Sequence, residues 1–319
     1  MGRGSYIVKR VFTSFLTLFI VSFFTFLFTQ ILPGDAAQMI AGKEASPERL
    51  EQIRRNLGLY EPLYVQYADW LIGVLTLNLG RSFIFNEPVI EVLAKRIPRS
   101  AYLATATVVL GVSLSIPLGV IASRHRDGWI DFLVSSFTFA GISIPNFFWG
   151  LIFILVFART LELLPPSGYV DPGQNFGEFV RRLTLPTVAL TWYLMAYITR
   201  MTRSSMLEVM GKNYIRTAVA KGVTTRNVVY KHGLRNALLP TLTVIAFQVG
   251  YVFGGVIVIE TVFAYPGVGS LTYQAILDRD LPLIQGAVMV IATVFIFANL
   301  TVDILYTVVD PRIKYGGDR

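Results

Sequence analysis

Residues 236–259 read NALLPTLTVIAFQVGYVFGGVIVI, twenty-four positions without one Asp, Glu, Lys or Arg. A hydrocarbon layer of about 30 Å is crossed by about 20 apolar helical residues, so this stretch is long enough to span a membrane. Five other runs share the property, at 11–34, 100–123, 132–158, 183–199 and 281–302, with 24, 24, 27, 17 and 22 residues. Only 183–199 is marginal in length. Core helices of a large soluble protein do not explain six such runs separated by charged segments. We therefore expect an all-α polytopic membrane protein with six transmembrane helices.

Composition points the same way. Of 319 residues, 54% are hydrophobic, 15% are charged and 23 are Phe, against roughly 25% charged in soluble domains. The absence of Cys excludes disulfides, thiolate zinc sites, iron–sulfur ligation and Cys nucleophiles, and the two histidines, His125 and His232, form no metal cluster. The net charge of +8 would suggest nucleic acid in a soluble chain. Its placement argues otherwise. With the N-terminus inside, segments 1–10, 124–131, 200–235 and 303–319 carry 16 basic residues over 71, whereas 35–99, 159–182 and 260–280 carry 12 over 110. The basic excess thus follows the positive-inside rule, with both termini cytoplasmic and no nucleic-acid footprint.

Shorter features fit around these spans. The first run is longer than a signal-peptide core and lacks a small-x-small cleavage site before Asp35, so it is expected to be retained. Residues 261–277 are uncharged but broken by Pro266, Gly267 and Gly269, which suits a re-entrant or surface hairpin. Residues 70–80 are too short to span and are expected at an interface or packed on neighbours. Within the exterior segment, Ser46 as N-cap, Pro47 in the first turn, and Leu50, Ile53 and Leu57 along one face predict a short amphipathic helix.

Several functions are excluded by what the spans lack. Ion-coupled carriers and pumps place ionisable groups at mid-membrane, and the six runs contain none; Asp131, Glu162, Glu260 and Asp303 lie at their edges, where solvated or helix-end roles are expected. Gly42-Lys43 and Gly211-Lys212 are followed by Glu44 and Asn213 instead of Ser or Thr, so no phosphate-binding loop is present. Neither a G-x-S-x-G elbow nor H-E-x-x-H occurs. No catalytic, cofactor or metal residue is expected. What remains is a passive channel or one subunit of a machine driven from outside.

The segment 200–235 is the most informative. It has eight basic residues against the single acid Glu208. It predicts two short helices, 205–221 and 225–236, broken at Gly222 and closed by Pro240. Gly222 suits a left-handed C-cap, and the small Thr217, Ala218 and Ala220 permit another protein to approach closely. A basic solvated loop is the plainer alternative.

The residues Tyr214-Ile215-Arg216-Thr217-Ala218-Val219-Ala220-Lys221-Gly222, with Leu234-Arg235-Asn236-Ala237-Leu238-Leu239-Pro240, closely resemble the EAA loop of binding-protein-dependent ABC-transporter permeases of the dipeptide/oligopeptide branch. The resemblance runs through Leu32-Pro33-Gly34-Asp35, Leu57-Gly58-Leu59, Leu79-Gly80-Arg81-Ser82, Ile116-Pro117-Leu118-Gly119 and Ser143-Ile144-Pro145. It continues with Leu164-Pro165-Pro166-Ser167-Gly168-Tyr169, Glu260-Thr261-Val262-Phe263 and Asp310-Pro311-Arg312. The order and spacing of these motifs make it specific. One departure is that Arg216, Thr217 and Ala218 stand where the family name puts Glu-Ala-Ala.

The resemblance implies a type I ABC importer permease fold. It implies an N-terminal tail and first helix at 1–34, an extracytoplasmic segment at 35–99, a permease core at 100–308 and a cytoplasmic tail at 309–319. Tyr214, Arg216, Thr217, Ala218, Ala220, Lys221 and Gly222 would form a coupling surface docking on a cytoplasmic ATPase. The implied partners are a homologous second permease, two ATP-binding cassette subunits and an extracytoplasmic substrate-binding protein, with ATP and Mg held by the ATPases and not by this chain. Peptides would be the cargo; nickel, glutathione or oligosaccharides are the alternatives on the same machine. A passive or ion-coupled carrier is the rival from another class.

Three further sets of residues follow. Ala246, Gly250 and Gly254 form a small-xxx-small ridge suited to helix packing. Asn146, Trp192, Tyr193, Gln248 and Asn299 are uncharged candidates for the translocation path, with interhelical hydrogen bonding as the alternative. The hairpin around Pro266, Gly267 and Gly269 resembles a periplasmic gating hairpin.

Overall fold

A computed structural model of the chain describes residues 3–31, 37, 46–56 and 58–309. The motif residues 32–35, 57 and 310–312 lie outside the described residues. Apart from one isolated antiparallel bridge between Arg81 and Pro88, the described structure is helical. The helices are α1 (Arg3–Ile31), α2 (Pro47–Asn56), α3 (Leu63–Leu75), α4 (Val89–Arg124), α5 (Trp129–Ser143), α6 (Asn146–Phe153), α7 (Phe176–Met210), α8 (Asn213–Ala220), α9 (Arg235–Val262), α10 (Val268–Leu277) and α11 (Leu281–Val309). Wide-wound π turns extend α6 through Ile154–Thr160 and precede α9 at Val228–Leu234.

Three helical stretches are long and apolar enough to cross a membrane, Ile7–Ile31, Val89–Arg124 and Leu281–Thr301, and up to five are if each bent pair of helices counts as one span. The run 132–158 is not one straight helix. It breaks between α5 and α6 with a bend of 106°, because Ile144 precedes Pro145 and is held extended at φ −118°, ψ 132°. Trp149 Nε1 donates across this bend to Ala140 O at 3.4 Å, and from α7 Trp192 Nε1 donates to Phe137 O of α5 at 3.0 Å. The run 183–199 is the middle of the 35-residue α7, which carries Arg181, Arg182, Arg200 and Arg203 outside it.

The chain divides into two compact units. In the first, residues 101–265 with the terminal segments 1–10 and 298–319, α7 is the central element. Its face bearing Leu185, Ala189, Leu190, Leu194 and Ile198 packs with Leu103, Phe153, Val252, Val256 and Ile259 into one apolar core. Along α4, Thr107, Gly111, Ser115 and Gly119 recur every four residues and form the seam against α7. Thr191 Oγ1 donates to Thr107 O at 3.3 Å and Thr199 Oγ1 to Ser115 O at 3.4 Å. A Cβ on Gly119 would lie 2.5 Å from Thr202 Cβ and 2.9 Å from Thr199 O. These are the close approaches that small residues permit between helices where lipid offers no hydrophobic driving force.

Two edge carboxylates prove to be buried, not solvated. Asp131 is gripped by the Arg203 guanidinium, and Glu260 is fully enclosed near the end of α9. Buried carboxylates persist only where they are paired or hydrogen-bonded. Exposed Glu162 keeps a left-handed φ of 51°, and the side chain of Asp303 lies outside the description. After α9, Phe263 and Tyr265 are buried; Phe263 O accepts from Gly168 N at 3.0 Å, and Tyr265 meets Tyr169 edge-to-face at 5.4 Å.

The second unit comprises 11–100 and 266–297. Ser46 Oγ accepts from Arg49 N at 3.4 Å, capping α2 as its sequence predicts. Residues 70–75 belong to α3, which packs on α1: the Tyr67 ring lies 5.5–6.2 Å from those of Phe19, Phe23 and Phe26, and its hydroxyl meets Ser22 Oγ at 2.9 Å. Val89, Leu93, Leu271, Leu283 and Ile284 build the unit's core. Beside them the fully buried Asp280 accepts from Ser82 Oγ at 2.5 Å and from the Ile84 and Leu283 amides at 3.2 Å each. It caps α11 and ties down the loop after Gly80.

Candidate functional site

The elbow between α7 and α9 differs from its predicted form in both arms. Residues 205–210 continue α7, and the chain breaks at Gly211-Lys212; the first arm is therefore the eight-residue α8. The second arm, Thr225–Asn227 followed by Val228–Leu234, runs straight into α9, so Pro240 lies inside a helix instead of closing one. Lys212 Nζ meets Glu208 Oε1 at 2.8 Å across the break, and its hydrogen bond holds the Glu208 carboxyl below the usual carboxylate range.

The turn itself is as expected. Gly222 has φ +74°, its amide donates to Val219 O at 2.9 Å, and the Val223 amide donates to Ala218 O at 3.1 Å. This pair of bonds is a Schellman closure, which requires a left-handed residue at the position Gly222 fills. No atom lies within 4 Å of where its Cβ would be, so the restriction comes from backbone conformation and not from space.

α8 presents most of its length outward. Tyr214, Arg216, Thr217, Ala220, Lys221 and Gly222 are exposed and Ala218 is half-buried, while Ile215 points inward. Besides Tyr214, the large apolar residues left in the open are Val219 at 58% and Tyr230, in the second arm, at 49% exposure. Sequence reasoning missed both, having looked for small residues; the signal available was a β-branched apolar residue among polar neighbours on an amphipathic helix. Beneath the elbow Val120, Met206, Val229 and Ala237 form a small core that fixes the second arm to the ends of α4 and α7.

The path candidates do not share one environment. Trp192 stacks on Trp149 at 4.3 Å and Phe137 at 4.5 Å, inside the α5–α6 bend. Tyr193 stacks on Tyr251 at 4.4 Å. Gln248 is buried, and its Oε1 has no hydrogen-bond partner among the described residues. Asn146 and Asn299 are half-buried, and Asn146 Nδ2 lies 2.9 Å from the place a Gly255 Cβ would take. That glycine, one residue beyond the expected ridge, makes the close approach. Ala246 is half-buried and Gly250 buried, while Gly254 faces open space.

Pro266 and Gly267 lead into α10, Gly267 as its N-cap residue, and Gly269 lies in its first turn. Arg96 Nη1 donates to Pro266 O at 3.2 Å and the Val268 amide to Ser100 Oγ at 2.8 Å, and Gly267 and Gly269 are buried.

Comparison with known proteins gives this arrangement its context. Residues 115–315 match the family described as binding-protein-dependent transport system inner membrane component, and residues 4–104 match its N-terminal companion. A Brucella abortus protein provisionally named a peptide transport system permease is 42% identical over 309 residues, 97% of this chain and 98% of that one. A dipeptide transport system permease of Alkalihalophilus pseudofirmus is 36% identical, covering 98% and 99%, and a glutathione transport system permease of Escherichia coli is 39% identical, also covering 98% and 99%. The fold is similar to that in an inward-facing structure of the MetNI methionine ABC transporter, with TM-score 0.57 and 18% identity over 69% of this chain and 96% of that one. The chain belongs to the family of inner-membrane permease components of binding-protein-dependent transport systems, and is a multi-pass membrane protein.

Proposed function

We propose that this chain is the permease subunit of an ATP-driven importer that takes dipeptides or oligopeptides from a substrate-binding protein and passes them across the cytoplasmic membrane. In this reading it spans the membrane six times, α5–α6 and α7 included, with both termini in the cytoplasm. It works with a homologous second permease and two ATP-binding cassette subunits, which hold ATP and Mg. Catalysis belongs to those partners.

The observation that carries the reading is the elbow: a short helix, closed by a left-handed glycine, that leaves Tyr214 and Val219 uncovered on a family member's basic segment. Exposed apolar side chains on a rigid turn suit protein docking. The peptide cargo is supported by the names of relatives in the 36–42% identity range. Glutathione is the second reading, supported by the Escherichia coli relative; it is itself a modified tripeptide.

The test is purification from native membranes in mild detergent. The reading expects a second permease and ATPase subunits to co-purify, and hydrolysis to rise on adding peptide-loaded binding protein. A chain that purifies alone and mediates solute flux in liposomes without ATP refutes it, and stimulation by glutathione but not by peptides favours the second cargo.

A further inference from the structure

On α7, Tyr193, Tyr197 and Arg200 follow one another at steps of four and three residues and so lie on one face. Tyr193 Oη donates to Tyr197 Oη at 3.3 Å, and their rings are 5.1 Å apart. Tyr251 of α9 stacks on Tyr193, and the Arg200 guanidinium lies 5.5 Å from the centre of the Tyr197 ring. This ladder borders an uncovered strip of α9, where Phe247, Tyr251 and Val258 are exposed and Gly254 is open.

Two features separate this face from a lipid-contacting one. Phenol hydroxyls and a guanidinium are poorly served by hydrocarbon. Arg200 is exposed and makes no ion pair among the described residues, whereas Arg203, less than a turn away, is committed to Asp131. The face thus offers a cation in search of an anion, beside neutral groups that can donate and accept hydrogen bonds along an extended backbone.

We propose that Tyr193, Tyr197, Tyr251 and Arg200 form a station on the translocation path, where Arg200 receives the C-terminal carboxylate of the peptide and the tyrosines border its backbone. This rests on the peptide-cargo reading. The guanidinium fork matches a carboxylate in a two-point hydrogen bond. A peptide of any sequence carries that group, so the station would be indifferent to side chains.

The experiment uses the whole transporter in proteoliposomes, with its ATPases and binding protein, and compares uptake of trialanine and trialanine amide, each saturating the binding protein. Arg200→Gln is expected to lower trialanine uptake about tenfold, and that of the amide by no more than about twofold, the difference one charge-assisted contact gives. Arg200→Lys is expected to recover part of the loss, and Tyr251→Phe, which keeps the stack, to slow both peptides modestly. Equal losses for the two peptides in Arg200→Gln, or no loss, overturn the station and leave the importer reading standing. If the unmodified transporter moves neither peptide, the cargo reading fails and the station with it.

Discussion

Arg203 of α7 and Asp131 at the start of α5 form a two-point ion pair, Nε to Oδ1 at 2.6 Å and Nη2 to Oδ2 at 2.5 Å, between residues 72 apart in sequence. The carboxylate also accepts from the Asp127 amide at 3.0 Å and from Ser135 Oγ at 3.4 Å. Every strong acceptor position on Asp131 is thus used, and its side chain is 7% exposed.

Removing one partner should therefore cost more than the pair is worth. Asp131→Ala leaves a guanidinium against protein with nothing to neutralise it, and is expected to destabilise the permease by about 2–3 kcal/mol, a little under a fully buried pair because Arg203 retains some solvent. Thermal unfolding in detergent checks this. The double variant Asp131→Leu with Arg203→Met should recover most of the loss; if it is no more stable than Asp131→Ala, the pair is not what holds α5 to α7.

The seam between α4 and α7 gives a contrast between two glycines. Gly119→Ala must push apart Thr199 and Thr202, and is expected to cost about 1–3 kcal/mol as an overpacked contact does. Gly254→Ala meets nothing within 4 Å and should leave the isolated subunit's unfolding temperature unchanged. A fall for Gly254→Ala as large as that for Gly119→Ala would contradict the packing described.

At the elbow, Gly222→Ala forces a Cβ into left-handed backbone at about 1–2 kcal/mol, and Gly222→Asp adds a charge to the surface proposed for docking. We expect Gly222→Asp to insert normally in the membrane, yet to separate ATP hydrolysis from uptake. Parallel assays of binding-protein-stimulated ATPase and peptide accumulation measure this. Normal accumulation would remove the docking assignment.

Asp280 organises one end of the second unit. Asp280→Ala strands the Ser82 hydroxyl and the Leu283 amide in a buried place, each costing about 1–3 kcal/mol unless water enters, and frees the part-buried Ile84 amide. Limited proteolysis is then expected to cut between Gly80 and Pro88 faster than in the parent protein; an unchanged rate would mean that the loop is held by other contacts.

The membrane character and the elbow were legible because they rest on local signals: absence of charge over helix-long windows, and a glycine positioned to stop a helix. The 106° break at Ile144-Pro145 was also written locally, in the restriction proline places on its predecessor, but a search for uncharged runs passes over it. The packing seam was not found for a different reason. Ala246, Gly250 and Gly254 and the set Thr107, Gly111, Ser115 and Gly119 both have four-residue spacing, and periodicity cannot say which stripe meets a neighbour. Asp131 looked like an ordinary edge acid and Asp280 carried no signal, because their partners, Arg203 and Ser82, are 72 and 198 residues distant.

The absence of a break between the second arm and α9 has a mechanical consequence. From Thr225 to Val252 the chain is one helical rod, about 42 Å long at 1.5 Å per residue. A tilt of about 5° imposed at the elbow would sweep the far end of such a lever through about 3–4 Å, on the scale of a side-chain contact.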